Sequence, residues 1–167
     1  MAYELHCFVD NETVCGWLNG TARVEDPLHV ATVACLQDQL AEVQRLGHAC
    51  PWTLYSPFVK AIPRHQNSEA DRLANVALDS GMGVVTWLPC AGPVFAATVH
   101  SDGASRGNPG PSSCAAILSV FNGVHWLRAA EGSRLLGMAT STYAEIAGVD
   151  LGFQLLSSFL GGSVVVD

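Results

Sequence analysis

"HSDGASRGNPGPSSCAAIL" (His100 to Leu118) is the stretch on which the fold turns. It begins at the end of an apolar run, "FAATVHSD" (95–102), passes through a loop of Gly, Asn and Pro, and enters a second run, "CAAILSVF" (114–121). Short apolar runs bounded by turn residues predict strands, and Asp102 closes the first of them. Asn122-Gly123 separates the second run from a third, "VHWLRAAE" (124–131), and this dipeptide favours tight hairpins because both residues tolerate positive φ. Three antiparallel strands of this kind normally open a domain. Here nearly a hundred residues come first.

Downstream, "TSTYAEIAGVDLGFQLLSSFL" (140–160) predicts a helix with Ala144, Ala147, Leu151 and Leu155 on one face and Thr142 and Glu145 at capping-box spacing. "GGSVVVD" follows, an apolar strand ending in Asp167. Upstream, "LHCFVD" (5–10) reads as a short buried strand closed by Asp10, and "NETVCGWLNG" (11–20) as a short helix stopped by Gly20. Asp26-Pro27 is a cap followed by Pro at the first helical position. Val33, Leu36, Leu40 and Val43 then share a face, and Gly47 ends that helix. "FVKAIPR" (58–64) is a strand candidate, and "NSEADRLANVALD" (67–79) a helix with Ser68 and Asp71 at capping-box spacing. The Gly- and Pro-rich "SGMGVVTWLPCAGP" (80–93) predicts a linker. "HCFVD" near the start is echoed by "SVVVD" at the end.

The chain is 167 residues long and 49% hydrophobic, enough for one domain with a core. Its net charge is −7 and Lys60 is the sole lysine. Proteins that grip phosphates by bulk electrostatics are usually basic, so a nucleic-acid role for this chain must be local and metal-assisted, or weak. No apolar run approaches the roughly 20 residues that cross a bilayer, which argues against a membrane role. No basic segment followed by an apolar one appears at Met1, and Cys7, Cys15, Cys35, Cys50, Cys90 and Cys114 have no metal-ligand spacing. They read as small buried hydrophobes in an intracellular, reducing compartment. Trp17, Trp52, Trp87 and Trp126 are either core residues or surfaces for base stacking.

The chemistry-bearing residues are acidic. Two divalent ions about 4 Å apart hydrolyse phosphodiesters, and hard ions such as Mg²⁺ require only a few carboxylates. Asp102, Asp10 and Asp167 stand at strand ends, and Glu145 and Asp71 are expected in helix first turns. Each position also has a structural explanation, since a first-turn acid complements the helix dipole and an Asp after a strand initiates turns.

Taken together, "SDGASRGNPGPSSCAAIL", "TSTYAEIAGVDLG" and "VVVD" resemble the first half of a type 1 ribonuclease H domain. "VDNETVCGWLNG…VEDPL" and "IPRHQNSEADRLANVALD" resemble its second half, in the archaeal-like and retroelement-like branch. The resemblance covers nearly everything outside the linker, with the halves in reversed order. It implies a single circularly permuted α/β domain of ribonuclease H-like fold, with a five-stranded mixed sheet and helices on both faces. Residues 1–80 would be the family's C-terminal half, 81–94 the linker, and 95–167 the N-terminal half. Asp10 and Asp167 both match the family's third carboxylate, so two copies of one strand compete for one slot. A single closed unit, a half-exchanged homodimer and a piece of a tandem array or polyprotein all remain open.

The resemblance implies a metal-dependent endonuclease cleaving the RNA strand of RNA/DNA hybrids, with two Mg²⁺ or Mn²⁺ ions held by Asp102, Glu145, Asp71 and one of Asp10 or Asp167. It assigns substrate contacts to Gly103, Ala104, Ser105, Asn108 and the turn Thr140, Ser141, Thr142, the first three lying near the 2′-hydroxyls that distinguish RNA from DNA. His65 would match the family's mobile histidine. The chain departs from the family in having Ser141 and Thr142 where two asparagines are usual, and in lacking a basic helical handle. A non-catalytic ribonuclease H-like scaffold in a larger assembly is the competing reading.

Overall fold

The computed structural model describes residues 3–49, 52–90 and 92–161, so the second copy of the duplicated strand, with Asp167, lies outside the described residues, as does Cys50. The elements run β1 (Tyr3–Val9), α1 (Glu12–Leu18), α2 (Pro27–Ala49), β2 (Trp52–Ala61), a 3-10 turn (Arg64–Gln66), α3 (Ser68–Ser80), β3 (Val85–Trp87), β4 (Ala96–Ser105), β5 (Gly110–Phe121), β6 (Trp126–Ala139) and α4 (Ser141–Leu160).

The strands form one mixed sheet in the order β2-β1-β4-β5-β6-β3. β4, β5 and β6 are an antiparallel meander, and β1 runs parallel to both β2 and β4. The register of β1 on β4, from Glu4↔Ala96 to Val9↔Ser101, brings Asp10 level with Asp102. Leu5, Cys7 and Val9 are buried, while Glu4 is exposed and His6 and Phe8 are half-buried, so β1 alternates between a covered and a more open face instead of being buried on both as the short apolar run suggested. The slot beside β4 is thus filled by the strand at the start of the chain.

The sheet has six strands, where five were expected. The additional one, β3, comes from the segment read as a linker. Its Val-Thr-Trp run pairs antiparallel with β6 from Val85↔Gly132 to Trp87↔Ala130, closing a free edge. Gly and Pro on either side obscured that run. Gly83 is required there for close approach: a Cβ would lie 2.7 Å from the Ser133 carbonyl oxygen.

Helices cover both faces. α4, α2 and α1 pack over Leu5, Cys7, Val9, Val99, Leu118 and Val120, with Val33, Leu36, Leu40 and Val43 of α2 all buried on the side the periodicity assigned. α3 lies on the opposite face, where Ala74 meets Ala104 and Ala115, and the Ser113 hydroxyl donates to the Ala74 carbonyl at 2.5 Å. Several boundaries differ from the sequence reading. α2 continues through Gly47 to Ala49, β2 begins at Trp52, and the residues around Arg64 form a 3-10 turn instead of a strand end. The meander strands are longer than their apolar cores because ladder bonding extends into polar flanks at Gly110–Ser113 and Gly132–Ala139.

Cap assignments differ as well. Thr140, not Thr142, caps α4, its Oγ1 accepting from the Tyr143 N–H at 3.1 Å. Glu145 therefore lies beyond the first turn, where neither capping nor the dipole accounts for an acid. Asn67 occupies the N-cap position of α3 in place of Ser68, and Asp71 remains in the first turn. Among the described residues, no helix is long and apolar enough to cross a membrane.

Candidate active site

Three carboxylates from distant parts of the sequence converge beside the end of β1; Asp10 follows that strand, whereas Asp102 lies within β4, which continues to Ser105 instead of closing at the Asp. Asp10, Asp102 and Glu145 each offer an oxygen, and the three oxygens lie within 4.8 Å of one another. Parallel pairing of β1 with β4 sets the first two side by side. The third is brought in by α4, which approaches β4 closely enough that a Cβ on Gly103 would lie 2.3 Å from the Ala144 carbonyl carbon. A Cβ on Gly148 would lie 2.7 Å from the Asp102 carbonyl oxygen, and one on Gly152 2.7 Å from Val99 Cγ1. Glycine at these positions lets a helix backbone rest directly on a strand.

Asp102 is 2% exposed. Its Oδ1 accepts from the Gly103 N–H at 2.8 Å, while Oδ2 is buried with no hydrogen-bond donor among the described residues. Burial, followed by the charge of Asp10, raises the Asp102 pKa. Burial and then the charge of Asp102 raise that of Glu145. Burial also raises Asp10, with Arg64 opposing. The two inner carboxyls share a hydrogen bond when one of them holds a proton; when both are ionised the Asp102 oxygen is left without a donor. A buried acceptor in that position suits a hard cation, and the donor set is all oxygen, as Mg²⁺ or Mn²⁺ requires.

Asp71 stands beside this triad, near enough for its charge to act on Asp10 and Asp102. Its Oδ1 accepts from Arg64 Nη2 at 3.2 Å and from Asn75 Nδ2 at 3.3 Å. Arg64 also acts electrostatically on Asp102 and Asp10. Asn67, 1% exposed, donates through Nδ2 to the Ser101 carbonyl at 2.8 Å and favours the ionised form of Asp10. Sequence reasoning missed Arg64 and Asn67 as site residues. Both lie in the "IPRHQNSEAD" string already noted for Asp71.

A cleft of about 450 Å³ opens beside Glu145, Asp71 and Arg64. Gly103, Ala104, Ser105, Asn108 and Ser141, expected to meet substrate, line it together with Asp71, Glu145, Arg64 and Arg106. β1 pairs with β4 only as far as Ser101, so, among the described residues, 103–105 of β4 have no strand neighbour on that side. Asn108 Oδ1 accepts from the Ser141 N–H at 3.1 Å, tying the β4–β5 loop to the start of α4. Thr140 serves as the helix cap, and Thr142 and His65 are not among the cleft-lining residues; His65 is exposed on the 3-10 turn. Nor do Trp17, Trp87 and Trp126 line the cleft: Trp17 is in the core against His29, Trp87 is partly buried, and Trp126, 52% exposed, lies against Phe121; the Trp52 side chain lies outside what is described. Cys7 and Cys114 are buried, with thiol pKa values pushed up by burial to about 12, whereas Cys35 is exposed.

The fold and site define a mixed α/β protein with an acidic cluster of metal-binding character. No family model matches the chain. No curated protein matches it either. Among solved structures, it is similar to an LC11 ribonuclease H1 in complex with an RNA/DNA hybrid, at 27% identity over 41% of this chain and 47% of that one, with a TM-score of 0.33. The likeness spans less than half of that chain, and a TM-score so low does not define a shared fold.

Proposed function

We propose that this chain is a metal-dependent endoribonuclease of ribonuclease H type, hydrolysing the RNA strand of RNA/DNA hybrids. The observation that carries the reading is the convergence of Asp10, Asp102 and Glu145 around a buried oxygen that lacks a donor among the described residues. Clustering like charges in a partly buried site is unfavourable unless a cation or proton offsets it, so a structural role gives no reason for it. The hybrid as substrate rests on the sequence resemblance of the "SDGASRGNPGP" and "NSEAD" strings. On this reading the chain is a permuted form of that fold, with Asp10 in the role for which Asp10 and Asp167 were alternatives.

Asp10, Asp102 and Glu145 would hold one divalent ion, and Asp71 would help hold a second. Such ions lower the pKa of water and neutralise charge developing on a phosphate. Asp102 is fixed by its bond to the Gly103 N–H, and Glu145 by the seating of α4, so neither carboxylate reorganises during the reaction. Arg64, held by Asp71, offers a guanidinium to a phosphate oxygen. The unpaired side of β4 at 103–105 offers backbone groups to the 2′-hydroxyls of the RNA strand.

A hybrid labelled on its RNA strand, incubated with Mg²⁺ or Mn²⁺, tests the reading. Cleavage leaving 5′-phosphate ends, reduced to background by Asp102→Asn, is expected. If neither cleavage nor calorimetric binding of either ion occurs, the chain is a non-catalytic scaffold.

A further inference from the structure

We propose that Arg106 is a positioning residue for Asp71, acting through the side-chain amide of Asn75. The proposal rests on the metal-dependent reading above and names the groups that fix the fourth carboxylate. Arg106 Nη1 donates to Asn75 Oδ1 at 2.9 Å, and Nη2 donates to Asp79 Oδ1 at 2.6 Å. The two acceptors stand one turn apart on α3, so a planar guanidinium spans both where an ammonium would reach only one. Asn75 Nδ2 in turn donates to the Asp71 carbonyl at 2.9 Å and approaches Asp71 Oδ1 at 3.3 Å.

An amide side chain has a donor end and an acceptor end. Turned over, Asn75 would set its oxygen against the Asp71 carboxylate and its NH₂ against a guanidinium. Arg106 therefore selects the orientation in which a donor faces Asp71. With Arg64 supplying the other donor, the Asp71 oxygen is held by groups from two separate elements. The loop that carries Arg106 is itself braced, since the Arg106 N–H donates to the Pro111 carbonyl at 2.8 Å and Asn108 accepts from Ser141 at the head of α4. A single loop thus reaches the helix of Asp71 and the helix of Glu145.

The test is Mn²⁺ binding to the full chain, followed by the paramagnetic resonance signal of the free ion, with Asp71→Asn identifying the ion that depends on Asp71. Arg106→Ala should weaken that ion by about tenfold, as expected for a partner that orients a ligand, and leave the other unchanged. Asn75→Ala should give the same loss, with no further loss in the double variant, because both act along one path. Arg106→Lys should not restore affinity. Unchanged Mn²⁺ affinity in Arg106→Ala, additive losses in the double variant, or a rise in KM for the hybrid at unchanged Mn²⁺ affinity would each overturn the relay; the last would assign Arg106 to direct phosphate contact. A wild-type chain that binds no Mn²⁺ would instead overturn the ribonuclease reading, and the relay with it.

Discussion

Asp102 and Glu145 hold the main electrostatic tension in the molecule. Burial raises both pKa values; the charge of Asp10 raises Asp102 further, and the charges of Asp102 and Asp10 raise Glu145 further. Between about pH 4, where such groups ionise in an unfolded chain, and their raised values, the folded protein keeps protons that the unfolded chain has released. Stability conferred by those protons is therefore fully present at low pH and declines as pH rises, by up to about 1.4 kcal/mol per pH unit for each proton retained. Thermal melts in chelator from pH 5 to pH 9 should show a falling Tm. Mn²⁺ should recover most of the loss at the alkaline end and little at pH 5, where protons compete for the same oxygens. In Asp102→Asn, which removes one charge and keeps the shape, the decline should flatten and Mn²⁺ should no longer recover stability. A Tm independent of pH in the wild type would mean that the carboxylates are solvated and not coupled.

At the level of elements, the seating of α4 on β4 determines whether the cluster forms. Gly148→Ala would place a methyl 2.7 Å from the Asp102 carbonyl oxygen, a backbone atom that cannot move without disturbing the sheet. The helix must lift, carrying Glu145 away from Asp102. Overpacking of this kind costs about 1–3 kcal/mol, and Mn²⁺ affinity and cleavage should fall by far more than that loss of stability accounts for. Denaturant unfolding measured beside metal titration on the same preparation checks both. This contact also shows what the sequence could convey. Apolar runs and the α2 stripe predicted β1, β4, β5, β6 and α2 because those signals are local. Gly148 read only as a small residue within a helical pattern, since its reason is the strand across from it. Thr142 and Glu145 had capping-box spacing, yet Thr140 takes the cap; spacing alone cannot tell which of two threonines leaves the helix. β3 was hidden because its three residues owe their strand conformation to the free edge of β6.

At the scale of the whole molecule, the strand order brings an Asp from the start of the chain and an Asp from its second half to neighbouring strands, and the motif strings anticipated that meeting. The surrounding charge was legible from composition. The chain carries a net charge of −7, and the cleft has two cations among its described lining residues, Arg64 and Arg106, each already paired with a carboxylate. Each phosphate neutralised by a cation contributes about −0.9 to the slope of log K against log salt. Hybrid binding measured in Ca²⁺ across a KCl series should therefore give a slope of about −2 or shallower. Proteins that track the backbone with many lysines and arginines give far steeper values. Weak, salt-tolerant binding would place the recognition energy in the carboxylate-held ions and in the unpaired side of β4. A slope steeper than about −5 would require some six phosphate contacts, more than the cleft can supply, and would locate the hybrid partly on arginines outside it, such as Arg23 or Arg72.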